Sequence, residues 1–160
     1  MIELPHTGNC LVCGRGNPHG LKLSLHVDPA TGAVRTTFRP TPDHIGFEGI
    51  VHGGLLATVL DEAMVWAATW AGRRFCVCGE MNVRFRESAR VGDELEVIAK
   101  VDVARSKLVT TTAEVRRADG IVLAVATGKY VPVPEERHRY VVGTLVDEEA
   151  TRQAAETLKG

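Results

Sequence analysis

Two adjacent acids, Asp61 and Glu62, sit in the middle of an otherwise apolar run, GIVHGGLLATVLDEAMVWAATW (Gly49–Trp70). Taking a carboxylate out of water is costly unless something pairs with it, so a helix that only packs has no use for one. A carboxylate at the edge of an apolar cleft can instead serve as a general base or a nucleophile. The same run opens with His52-Gly53-Gly54. At a helix start the first backbone N–H groups lack an intrahelical partner and the dipole is positive. Glycine lets a ligand approach the backbone closely, and a free N–H there can stabilise an oxyanion developing on a carbonyl.

Helical geometry then sets two limits. The two acids point about 100° apart, so at most one of them faces a given cleft. Gly53 and Asp61 are eight residues apart, about 12 Å along the axis, whereas donor and base must both lie about 3 Å from one reacting group. One helix cannot easily supply both. Two antiparallel copies can, with Gly53 of one chain facing Asp61 of the other, so a catalytic pair on this helix implies a site shared by a dimer. The plain alternatives stay open: an Asp61 satisfied by a nearby donor with Glu62 held in reserve for chemistry, glycines that only permit tight packing, and a His52 that only hydrogen-bonds at the helix start.

These residues must be positioned by the elements around them. Leu21, Leu23, Leu25 and Val27 alternate with polar residues, which predicts a half-buried strand over Leu21–Val27. DPATG (Asp28–Gly32) is a turn, Ala33–Arg39 a second strand, and Thr41–Gly49 a loop. Gly53–Trp70 is the one long helix, with Gly72 as its stop. Four strands follow: Phe75–Arg86, Glu94–Val103, Leu108–Arg116 and Ile121–Val131, with turns at Gly92–Asp93 and Asp119–Gly120 inside the series. Consecutive antiparallel strands form a meander rather than a parallel doubly wound sheet. A helix apolar almost all round has to be covered on most sides, and a curved antiparallel sheet wrapped around it does this. The remaining apolar face and wide sheet edge predict association into an oligomer.

The 160-residue chain has the size of one domain, and 44% hydrophobic residues with a net charge of -1 fit an ordinary globular protein. A strong basic excess is missing, which argues against a nucleic-acid binder. MIELPHTGNC lacks a basic region followed by an apolar run, and Asp61 and Glu62 interrupt the best candidate for a membrane span. The expectation is a cytoplasmic protein with reduced cysteines and no membrane partner. Cys10-x-x-Cys13 could be half of a zinc site, but Cys76-x-Cys78 is not the usual second half. All four are therefore read as packing cysteines, and no metal is expected.

H-G-G followed by an aspartate nine residues after the histidine resembles the hotdog-fold acyl-CoA thioesterases of the phenylacetate-pathway type. CLVCGRGNPHGL is similar to the C-x-x-C-G-x-x-N-P-x-G-L opening of one branch, and GIVHGGLLATVLDEA and GEMNVRFRESARVGDEL are similar to the family's helix and next strand. The resemblance runs roughly from Cys10 to Pro132. It implies an α+β hotdog fold, a long central helix wrapped by a curved antiparallel sheet, as the thioesterase domain over 21–133. The turn-rich residues 1–20 read as an irregular lead-in, and 134–160 as a charged tail with a polar helix near Val146–Leu158. The resemblance also implies a homodimer or dimer of dimers acting on a small-molecule acyl-CoA without any cofactor. By motif, the Gly53 N–H would polarise the thioester carbonyl with Gly54 beside it, Asp61 of the other chain would activate water or attack directly, and His52 would orient the thioester end. Cys78 stands where a Ser or Thr commonly places the water, and Gly46 where many relatives carry Asn. Arg84, Arg86, Arg105 and Lys107 are candidates for the coenzyme A phosphates. Two other readings remain. One is a non-catalytic acyl-CoA binder. The other is an enoyl-thioester hydratase or lyase, for which the usual D-x-N-P-x-H run is missing.

Overall fold

The computed structural model describes residues 1–160. Three strands precede the central helix: β1 (Ile2–Glu3), β2 (His26–Val27) and β3 (Val34–Phe38). Helix α1 (Gly53–Gly72) is followed by β4 (Cys76–Phe85), β5 (Leu95–Arg105), β6 (Leu108–Arg117) and β7 (Val122–Pro132), then by α2 (Glu135–Val142) and α3 (Arg152–Lys159). The strands form one antiparallel sheet in the order β1-β2-β3-β5-β6-β7-β4, which leaves β4 as a free edge. The helix lies across this sheet, with Val59, Leu60, Ala63, Met64, Ala67 and Ala68 fully buried. No helix is long and apolar enough to cross a membrane.

Small residues let the helix approach. Ala99, Ala113 and Ala126 stand opposite one another on β5, β6 and β7, flanked by Val34 and Val83. The next inward-facing row carries Thr111 and Gly128. Bulky side chains in these rows would hold α1 away from the sheet, because side chains i and i+2 share a face and occupy the same interlayer space. The two tryptophans of the helix, Trp66 and Trp70, are buried as well, each 5% exposed.

The predicted strands after the helix are present, with ends shifted by a residue or two. The differences lie elsewhere. Only His26–Val27 of Leu21–Val27 joins the sheet; Leu21 and Leu23 instead donate their N–H groups to Leu11 and Val12 of the preceding turns. Gly72 stays helical, and the left-handed cap is Arg73 (φ 51°), whose guanidinium lies 4.1 Å from the Trp70 ring. Helix α2 is an addition. Its His138 accepts the Phe75 N–H at 3.1 Å and meets the Leu158 carbonyl at 3.0 Å, joining α2 to the sheet and to α3. The first residues and the tail also pack together: the Val146 N–H donates to the His6 carbonyl at 2.9 Å, and Arg15 pairs with both Glu3 and Glu148.

Leu60 sits at the centre of the helix–sheet interface and is 0% exposed. Leu60→Ala is expected to cost about 2–5 kcal/mol, read as a lower urea midpoint with the native far-ultraviolet spectrum retained before unfolding.

Candidate active site

The two acids of α1 point into different surroundings. Asp61 Oδ1 accepts a 2.7 Å hydrogen bond from the Tyr130 hydroxyl on β7. Tyr130 is fully buried, and its ring can lie there only because residue 128, two positions earlier on the same face, is glycine. A Cβ at Gly128 would fall 2.5 Å from Tyr130 Cε2. Cys78 stands directly opposite Tyr130 on β4. Desolvation first, then the Asp61 carboxylate, push its thiol above the ordinary value. The same two causes drive the Tyr130 phenol upward, so it remains a donor to Asp61 at any physiological pH. Asp61, Tyr130 and Cys78 thus form one cluster. Glu62, the reserve candidate, is not part of it. Its carboxylate takes the Trp66 Nε1–H at 3.1 Å and faces Cys10, and desolvation raises it to about 7.

At the start of the helix, His52 is the N-cap residue and its Nδ1 accepts the Gly54 N–H at 2.9 Å. An accepting Nδ1 carries no proton, so the neutral ring presents Nε2–H. The Gly54 N–H is therefore already used, while the Gly53 N–H has no acceptor within the chain. Gly53 opens into a pocket of about 480 Å³ shared with Gly46, Phe47, His52, Phe85 and Arg86. Gly46 lies against the imidazole, where a Cβ would come 3.2 Å from His52 Cδ2. The loop before the helix is tied down by the His52 N–H to the His44 carbonyl at 2.9 Å, which fixes the approach of the cap.

The basic candidates separate into two groups. Arg84 and Arg86 line a groove of about 610 Å³ on the sheet face away from the helix, together with Lys100 and Arg116, and Arg86 also borders the Gly53 pocket. Arg105 and Lys107 sit at the β5–β6 hairpin, one residue pair beyond the row that contains Val109, Tyr130 and Cys78. That places them at the Asp61 end of the sheet rather than the Gly53 end. The structure brings His52, Gly53, Gly54 and Gly46 together, and Asp61 with Cys78, as two separate clusters of one chain. Tyr130 escaped the sequence reading. It falls inside the Ile121–Val131 strand, but nothing in the sequence aimed its hydroxyl at Asp61.

The chain has relatives in sequence and in structure. Residues 48–124 match the family model described as Thioesterase superfamily. A curated protein of Deinococcus radiodurans named "Putative esterase" is 29% identical over 103 residues, 64% of this chain and 69% of that protein. Among solved structures, a thioesterase superfamily protein is 27% identical with a TM-score of 0.71 over 78% of this chain; this chain spans only 60% of that one. The Escherichia coli PaaI protein from the phenylacetic acid degradation operon is 21% identical, with a TM-score of 0.66 over 71% of this chain and 81% of that one. A Streptococcus mutans UA159 protein bound to acetyl CoA is 17% identical, with a TM-score of 0.65 over 69% and 88%. These last two likenesses show the fold alone.

Tyr130→Phe removes one hydroxyl and keeps the ring that fills the space above Gly128. The expected cost is about 1 kcal/mol of stability, the worth of a typical net hydrogen bond, measured by chemical denaturation with Asp61→Asn as the companion variant; the two losses should not add.

Proposed function

We propose that this hotdog-fold protein of the thioesterase superfamily hydrolyses an acyl-CoA thioester to the free acid and coenzyme A, in a site assembled from two copies of the chain. The observation that carries the reading is the unpaired Gly53 N–H at the floor of a pocket, two helical turns from the Tyr130-held Asp61. About 12 Å of helix between them rules out joint action on one carbonyl within a chain. The free β4 edge supports pairing of two copies: ten residues long, it exposes Val77 and Phe85, and such an edge is ordinarily covered.

In the antiparallel arrangement, the thioester carbonyl accepts the Gly53 N–H of one copy, and the His52 Nε2–H lies beside the same opening. Asp61 of the other copy either takes a proton from water, whose oxygen then attacks the carbonyl carbon, or attacks that carbon itself. The tetrahedral oxyanion is held by the Gly53 N–H. Its collapse breaks the C–S bond. With Asp61 as base, the departing thiolate takes up the proton that Asp61 removed from water. With Asp61 as nucleophile, a mixed anhydride is left, and a water hydrolyses it, freeing the acid and Asp61 and supplying the proton of the thiol. The pairing also brings the Arg105–Lys107 hairpin of one copy toward Arg86 of the other, so cations from both chains flank the route that the coenzyme A phosphates would take. A second reading, acyl-CoA binding without turnover, is favoured by one residue: Cys78, with its raised thiol, is a poorer partner for a water than a hydroxyl would be.

Asp61→Asn should fold normally and lower kcat about 100- to 10,000-fold, the usual worth of a positioned base, followed with a thiol-detecting reagent; full activity would remove Asp61 from the chemistry. Proline is tolerated at the first helical position and lacks the N–H, so Gly53→Pro deletes the proposed oxyanion donor. Each variant alone should be nearly inactive. Dimers mixed from the two should regain one working site out of two, whereas a site contained in one chain would show no recovery.

A further inference from the structure

The C-x-x-C turn near the N-terminus meets a carboxylate that sequence spacing could not reveal. Cys10 Sγ lies 3.7 and 3.8 Å from the two oxygens of Glu62, which is 52 residues away. One donor atom each from Cys10, Cys13 and Glu62 falls within 4.8 Å of the other two. A thiolate about 2.3 Å and a carboxylate oxygen about 2.1 Å from one tetrahedral ion stand about 3.6 Å apart. The Cys10–Glu62 separation therefore needs almost no rearrangement.

The turn is shaped around the sulfur. The Val12 and Cys13 N–H groups both point at Cys10 Sγ, at 3.4 and 3.5 Å, an arrangement that favours a thiolate. Gly14 is required there, because a Cβ would lie 2.4 Å from the Cys10 nitrogen. The ligating groups are also held from behind. Trp66 Nε1–H fixes one Glu62 oxygen at 3.1 Å, as an outer partner fixes a metal ligand. The three groups share one partly desolvated space, Cys13 buried and Cys10 and Glu62 half-buried.

We propose that Cys10, Cys13 and Glu62 bind a thiophilic divalent cation, zinc before all others, which fastens the N-terminal segment to the central helix. Two sulfurs select zinc over magnesium or calcium, which prefer all-oxygen sites. The fourth position is left to water. Glu62 thereby has a use that is separate from the thioester reading, since its side chain points away from Asp61.

Metal-stripped, reduced full-length protein would be titrated with Co²⁺ and then with Zn²⁺. The expected result is a near-ultraviolet sulfur-to-cobalt charge-transfer band that saturates at one equivalent per chain and is bleached by zinc. The band should vanish in Cys13→Ser, with circular dichroism confirming the fold, and in Cys10→Ser as a second variant. Glu62→Gln should weaken binding by about 10- to 100-fold, while Cys78→Ser should leave it intact. A wild-type protein without the band would overturn the site, as would a band that survives both cysteine replacements or a pair that closes into a disulfide instead of taking cobalt. Equal affinity in Glu62→Gln would overturn the carboxylate's part. None of these readouts depends on thioester hydrolysis, so the two proposals fail independently.

Discussion

The close seating of α1 on the sheet is the constraint from which the rest follows. A helix buried along its length can carry a carboxylate only where a donor meets it. Here the alanine row of β5, β6 and β7 and the Thr111–Gly128 row beside it bring the helix near enough for Tyr130 to reach Asp61. Apolar burial supplies the driving force, and the small residues set the distance. The polar exceptions are then placed by that distance and by the helical rotation of about 100° per residue.

That rotation is why two neighbouring acids have separate surroundings. Asp61 turns toward β7 and the β4 edge. Glu62 turns toward the N-terminal turns, which cover the side of the helix that the sheet does not reach. The tail completes this cover: His138 joins α2 to Phe75 and Leu158, and Arg15 ties Glu148 to Glu3. One helix thus serves as the wall of two unlike polar clusters.

Much of this architecture was legible in the residues. The strict alternation of Glu94–Val103 and the Asp119–Gly120 turn gave strands and a hairpin close to their observed bounds, and the unbroken apolar run gave the helix. The H-G-G start and Asp61 marked the two clusters on which the proposed site rests, while Glu62 went elsewhere. What stayed hidden depends on contacts distant in sequence. Alternation over Leu21–Val27 reads as a strand, yet its N–H groups find Leu11 and Val12 rather than a strand partner. Tyr130 falls inside the Ile121–Val131 strand, with nothing in the sequence to single it out. The Cys10–Cys13 pair lacked a second half in sequence, because its third companion arrives from a helix 52 residues away. Helix α2 has little apolar periodicity, and the buried His138 and the Arg74–Glu135 pair hold it.

The pairing of β4 with β7 slips between Cys78 and Glu80, leaving Gly79 as an extra residue. Upstream of that slip the even-numbered positions Cys76 and Cys78 turn toward the helix; downstream the odd-numbered Met81, Val83 and Phe85 do. One strand therefore runs in two phases, and a single unpaired glycine reconciles them. An uninterrupted strand could set the thiol beside Asp61 or lay the Phe85 ring against Gly53, but not both. The joint also makes the two ends of the strand separately adjustable, so that the wall of the glycine pocket can be reshaped without disturbing the neighbourhood of the acid.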